Sequence, residues 1–139
     1  MKLTTQTDYA LRTLMFLATR QERANVADVA ALFDISANHI AKVVNLLARE
    51  GYVRSVRGIG GGIELARDPA EISVGEIIAL IENDTHLLAC VGSDDSCAIH
   101  SFCKLRGVLA EAERIQQAYL RGVTLADVVP TARQLSRVR

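Results

Sequence analysis

At 139 residues, half of them apolar and only 4% aromatic, the chain is long enough for one ordinary core and favours helices packed through Leu, Ile, Val and Ala. Sixteen basic residues balance sixteen acidic ones, which excludes binding to nucleic acid or lipid through overall charge alone. The one apolar run near the start, Leu11 to Ala18, is far too short to span a bilayer, is interrupted by Arg12 and has no cleavage site after it, so a cytoplasmic protein without a membrane partner is expected.

The spacing of Leu11, Leu14, Met15 and Ala18 predicts a first helix from Thr4 or Thr5 to about Arg20. Thr5 and Asp8 form a capping-box pattern at its start, and Asp8 and Arg12 have the spacing of a surface ion pair. Asn25 suits the cap of a short helix, Val26 to Phe33, and Ser36 the cap of a third helix ending near Glu50. That third helix divides into an apolar face (Ile40, Val43, Val44, Leu47) and a polar face (Asn38, His39, Lys42, Asn45, Arg49), and Gly51 ends it. Two extended runs follow, Tyr52 to Val56 and Ile63 to Ala66, joined by the glycine-rich Arg57 to Gly62 as a hairpin.

Helix, helix, turn, helix, hairpin is the order of a winged helix-turn-helix domain. The fold class expected is mainly α with a small β-hairpin wing. Residues 1–68 are expected to form the winged helix-turn-helix DNA-binding domain, and residues 69–139 a cluster-binding loop and dimerisation helix region.

The charge placement agrees with this order. Lys42, Arg49, Arg54 and Arg57 make the region 37–62 basic, whereas Glu76, Glu82, Asp84, Asp94 and Asp95 make the region around the cysteines acidic. A recognition helix needs donors near its N-terminus, where it enters the major groove, and Ser36, Asn38, His39, Lys42 and Asn45 are placed for that. In the wing, Gly58, Gly60 and Gly61 allow close approach of backbone to a duplex, and Arg57 reaches a phosphate or a narrowed minor groove.

Past Pro69, Ser73 caps a helix from about Val74 to Glu82. A long helix from about Phe102 to Arg121 lines up Leu105, Val108, Leu109, Ala112, Ile115 and Tyr119. The chain has little left to cover that stripe, and one reading head makes a small footprint, so a homodimer on a two-fold symmetric DNA operator is expected. A last short helix, Leu125 to Val129, stops at Pro130, and the tail beyond is expected to be loose.

All three cysteines lie between the two late helices, with the spacing Cys90-x6-Cys97-x5-Cys103 and loop residues around them. An odd number in a reducing compartment argues against disulfides. No pair is as close as zinc sites usually require, and three soft thiolates on a long loop suit an iron–sulfur cluster. A 4Fe–4S cluster takes four ligands, and His86, Asp94, Asp95, His100 or a residue from elsewhere in a dimer are candidates for the fourth.

The chain resembles the family of iron–sulfur winged-helix transcriptional repressors that includes NsrR, IscR and RirA. The resemblance is carried by residues 1–12 (MKLTTQTDYALR), 36–42 (SANHIAK), 51–62 (GYVRSVRGIGGG), the three cysteines and Tyr119 through Val129. It implies a DNA-binding repressor that binds a 4Fe–4S cluster, with 2Fe–2S as the alternative, through Cys90, Cys97 and Cys103. The IscR-like fourth ligand, a histidine three positions after the last cysteine, is replaced here by Arg106. Asp8 matches the NsrR-like group, in which an aspartate at that place ligates the cluster of the opposite subunit, and His100 is the other candidate. The NsrR likeness further implies that the cluster senses nitric oxide and that its nitrosylation releases DNA. An iron- or redox-responsive regulator is the alternative within the family. A protein-binding adaptor or an electron-transfer protein is the alternative outside it. No paired acid and base and no nucleotide-binding loop suggest an enzyme.

Overall fold

The computed structural model describes residues 2–20 and 22–138. The first helix, α1 (Thr5–Ala18), is capped by Thr4, whose hydroxyl accepts from the Thr7 backbone N–H. The Glu82 carboxylate also reaches this end, accepting from the Thr4 N–H at 2.7 Å, the Thr4 hydroxyl at 3.0 Å and the Thr7 hydroxyl. The Thr5–Asp8 capping box therefore does not form. Asp8 pairs instead with Arg12 Nε at 2.8 Å, one turn along α1. The helix ends two residues short of Arg20.

Asn25 and Asp28 make a reciprocal capping box at the start of α2 (Val26–Phe33). Asp34 takes a left-handed conformation with φ 53°, and the Ile35 N–H closes the turn on the Ala30 carbonyl at 3.0 Å. Ser36 then caps α3 (Ala37–Arg49), as its sequence position requires. Gly51, with φ 80°, supplies the left-handed residue that ends α3.

Strands β1 (Val53–Val56) and β2 (Gly62–Leu65) pair antiparallel in the register Val53 to Leu65 and Val56 to Gly62. Ala24 adds a bridge to Ile63 on the far side, tying the hairpin to the segment before α2.

A short turn at Pro69–Glu71 leads to α4 (Val74–Ile81), capped by Ser73. The cysteine segment follows, with single helical turns at Ala89–Val91 and His100–Phe102. Then come α5 (Lys104–Gly122), α6 (Leu125–Val128) and α7 (Ala132–Leu135). The tail is thus not loose: Thr131 and Gln134 form a capping box for α7, and Leu135 packs against the core.

The core joins both halves of the chain. Leu14, Ile40 and Leu47 pack in one cluster with Ile72, Ile77 and Leu125, all essentially inaccessible. Each such side chain contributes about 1.5–3 kcal/mol by leaving water. Helix α5 packs on α4, where Gly75 lies against its backbone at Leu120 and Arg121, but it adds no side chain to this core. Its stripe is exposed, Leu105 at 59%, Val108 at 64%, Ile115 at 55% and Tyr119 at 72%, and Glu113 is its one buried residue. Among the described residues, no helix is long and apolar enough to cross a membrane.

Candidate functional site

The polar face of α3 is presented outward. Ser36, Asn38, His39, Lys42 and Asn45 are exposed, while Ile40, Val43, Val44 and Leu47 of the same helix are buried. The Ser36 hydroxyl accepts from the His39 N–H at 3.2 Å, which fixes the N-terminal turn that carries Asn38 and His39. Helix α1 lies directly behind, with the Tyr9 ring 6.1 Å from that of His39 and the Arg12 guanidinium 5.6 Å from the Phe33 ring of α2. A displacement of α1 would therefore be felt at both helices of the helix-turn-helix.

The wing is braced rather than free. Its tip is a tight turn in which the Gly61 N–H donates to the Gly58 carbonyl at 3.0 Å, with Gly60 at φ 74°. A side chain at Gly61 would collide with the Val56 carbonyl, so this glycine is required by space as well as by the turn. Arg23 donates to the Gly60 carbonyl at 3.2 Å and to Glu64 at 3.3 Å, and Arg54 meets the same carboxylate at 3.1 Å. Partial burial works against the Glu64 charge, but the two arginines outweigh it and hold its carboxyl below the usual value. Among the described residues neither Lys42 nor Arg57 has a carboxylate partner, so these cations are left to an outside anion.

The three cysteines are free thiols, Cys97 exposed and Cys90 and Cys103 half-buried. Cys90 sits in the turn Ala89–Val91, and Cys103 occupies the cap position of α5 without making a side-chain cap bond. The Cys97 carbonyl accepts from the His100 N–H at 3.0 Å. Among the described residues, no three His, Cys, Asp or Glu side chains are grouped to hold a metal ion, so the thiols do not converge on one point and Asp8, on α1, does not join them. As a donor set they still fit an iron–sulfur cluster: three unpaired soft ligands, none in a disulfide, on a loop whose side chains are largely exposed. Of the other candidate ligands, Asp94 accepts from the Ser96 N–H at 2.9 Å, Asp95 is exposed and His100 is half-buried.

His86 is engaged elsewhere, and its partner is a residue that sequence reasoning missed. Glu113, only 5% exposed, accepts from the Leu87 N–H at 2.6 Å and meets His86 Nδ1 at 2.9 Å. The bond to Glu113 raises the His86 pKa, and the bonds from His86 and Leu87 lower that of Glu113. Arg106, at the position where an IscR-like ligand is absent, donates through Nε to the Cys90 carbonyl at 2.7 Å. A carboxylate four residues after Leu109 and seven before Leu120, on the same face of α5, was the available signal for Glu113.

Residues 3–131 match the model of the Rrf2 family, described as an iron-dependent transcriptional regulator. The HTH-type transcriptional regulator NsrR of Bacillus subtilis is 39% identical over 141 residues, covering 99% of this chain and 97% of that protein. The Bacillus licheniformis regulator of the same name is 41% identical, covering 93% of this chain and 92% of its own. Among solved structures, T. potens IscR aligns with TM-score 0.72 and 27% identity over 91% of this chain and 85% of that one. Oxidised Staphylococcus aureus CymR aligns with TM-score 0.74 and 27% identity over 95% and 98%. The winged-helix architecture expected from the order of elements is the architecture these regulators share. The chain belongs to the Rrf2 family and is a transcriptional regulator, not an enzyme.

Proposed function

We propose that the protein is a cytoplasmic, homodimeric, DNA-binding repressor that senses nitric oxide through an iron–sulfur cluster of the 4Fe–4S type held by Cys90, Cys97 and Cys103. The observation that carries this reading is a set of three free thiols on one segment of a chain whose recognition face and wing hold Lys42 and Arg57 without a carboxylate partner among the described residues. A bound cluster would supply iron that reacts with nitric oxide, and Asp8 of the partner subunit is the proposed fourth ligand.

The surroundings of Asp8 support a switching role. Within its own chain Asp8 has a ready partner in Arg12 at 2.8 Å, so the carboxylate has two alternative cations to serve and leaving one does not strand its charge. Arg12 in turn lies over Phe33 of α2, and Tyr9 lies beside His39 of α3. Asp8 thus adjoins Tyr9 and lies one turn from Arg12, the two residues through which α1 touches the helix-turn-helix. In this reading Asn38, His39, Lys42 and Asn45 contact base edges, with Ser36 fixing their turn. Arg57, Gly58, Gly60 and Gly61 approach the backbone or the minor groove.

Anaerobic purification, native mass spectrometry and a nitric-oxide titration with an operator gel shift test the reading together. The expected outcome is a dimer that carries a cluster and leaves its operator as nitric oxide is added. Cys97→Ala should lose the visible absorption. A protein that binds its operator equally well in the presence of nitric oxide would overturn the sensing role.

The description of the matching family as iron-dependent favours a second reading, in which cluster assembly itself reports iron supply. Operator release on iron chelation without any response to nitric oxide would select it.

A further inference from the structure

The cysteine segment lacks the means by which a loop is usually placed. Of its large apolar side chains, Leu88 at 49%, Ile99 at 48% and Phe102 at 71% are exposed and Leu87 and Val91 are only partly covered, so none anchors Cys90 in the core. Helix α5 has the opposite peculiarity, since the one side chain it buries is a carboxylate. A leucine there would pack beside Leu109 and Leu120, which flank the position on the same face. Buried charges add little net stability over apolar residues, and their best-attested use is to fix register.

Both peculiarities have one explanation. We propose that Arg106 and Glu113, two turns apart on the inner face of α5, form a clamp that fixes Cys90 relative to Cys103, so that the cluster-binding loop and α5 move as one piece. Arg106 holds the carbonyl of Cys90 itself at 2.7 Å. Glu113 holds the backbone three residues before it, through the Leu87 N–H at 2.6 Å, and the His86 ring at 2.9 Å. The His86 ring continues the contact across the turn. It lies against Gly92 so closely that a Cβ there would sit 2.7 Å from the ring carbon Cδ2.

Cys90 is therefore held before, at and after its own position, and Cys103 caps the helix that does the holding. Cys97 is different. Its neighbourhood is tied mainly by local turns, the Ser96 N–H to Asp94 and the His100 N–H to the Cys97 carbonyl, with one longer bond from the Asp94 N–H to the Ala89 carbonyl at 3.3 Å and, among the described residues, none to α5. Two of the three thiols are thus indexed to α5 and the third is not. Arg106 and Glu113 are positioning residues, and the inference rests on Cys90 being a cluster ligand only for its functional meaning.

The test measures alkylation of each thiol in the full-length apoprotein by mass spectrometry, together with amide hydrogen exchange. In Arg106→Ala, which loses one hydrogen bond, alkylation at Cys90 and exchange over residues 87–91 should rise about fivefold, and in Glu113→Ala, which loses two, by at least as much. Cys97 should stay within about twofold of wild type, since its turns are untouched. Glu113→Gln keeps an acceptor for the Leu87 N–H and should restore most of the protection, while the His86 titration followed by NMR falls back towards its ordinary value. If Glu113→Ala does not fold, Arg106→Ala and Glu113→Gln carry the comparison. Equal acceleration at Cys90 and Cys97, or none at Cys90, would overturn the clamp. Failure of the wild-type protein to bind a cluster would instead remove the proposed function and leave the alkylation pattern as it stands.

Discussion

Two carboxylates serve the start of α1 and their neighbours give them opposite weight. Asp8 makes one ion pair with Arg12, both side chains being more than 40% exposed, so the pair contributes about 0.5 kcal/mol or less. Asp8→Ala should therefore leave thermal unfolding almost unchanged, and because three thiolates remain it should still carry a cluster. If Asp8 is a ligand, operator affinity of the cluster-loaded variant and its response to nitric oxide should both fall in a gel shift. Wild-type behaviour in both assays would remove Asp8 from the site.

Glu82 gathers three donors from Thr4 and Thr7, and Thr7 is fully buried. Glu82→Ala should cost about 1.5–2 kcal/mol in urea unfolding near neutral pH, the low end of the range for hydrogen bonds to a charged group because Glu82 is only half-buried. Burial raises the Glu82 pKa, but the bonds from Thr7 and Thr4 outweigh it and set the folded value below the ordinary 4.5. Its stabilisation is then fully present above that ordinary value and is lost as pH falls through the lower folded value. The gap between wild type and variant should be constant from about pH 7 to 5 and narrow in acid; a gap that widens in acid would contradict the assignment.

Among the elements, those written in local chemistry were legible and those written across the chain were not. The cap Ser36, the apolar face of α3 and the glycines of the wing lie within a few residues of what they determine, and the helix-turn-helix and hairpin follow from them. The Thr4 cap of α1 is local, but the carboxylate that joins it, Glu82, is 78 residues away, and the local pattern placed a capping box at Thr5 and Asp8 instead. The link of Glu113 to Leu87, 26 residues apart, was hidden for the same reason, and α7 was overlooked although its Thr131 and Gln134 capping box is local. The relation of Asp8 to the cysteines cannot be read from one chain at all if it is made between two. The proposed DNA-reading residues lie on one helix face and one tight turn, and these two elements should fail differently. Arg57→Ala should weaken binding to all duplexes and reduce the salt slope by about one. Asn38→Ala or Lys42→Ala should instead relax preference at one base pair, by about 1–3 kcal/mol of discrimination. A uniform loss across operator variants for Asn38→Ala would place it on the backbone.

At the scale of the molecule, the core and α5 answer to different partners. Residues from α1, α3, α4 and α6 close one core, while α5 turns Leu105, Val108, Ile115 and Tyr119 outward. Four large side chains exposed along one helix stripe are costly in water, and in the proposed homodimer a second copy of the same stripe would cover them with two-fold symmetry. That arrangement would also set the separation of two α3 helices and bring α1 of one subunit near the cysteine segment of the other, as the proposed ligation by Asp8 requires. Ile115→Glu tests it. Ile115 is 55% exposed in the chain, so a charge there should change the stability of the folded subunit by no more than about 0.5 kcal/mol. In sedimentation the variant should be a monomer, and its operator affinity should fall about a hundredfold, because two linked reading heads become one. Retention of a dimer with full operator affinity would mean that α5 is covered by something other than its own copy, and the coupling of cluster to reading head would then have to run within one subunit.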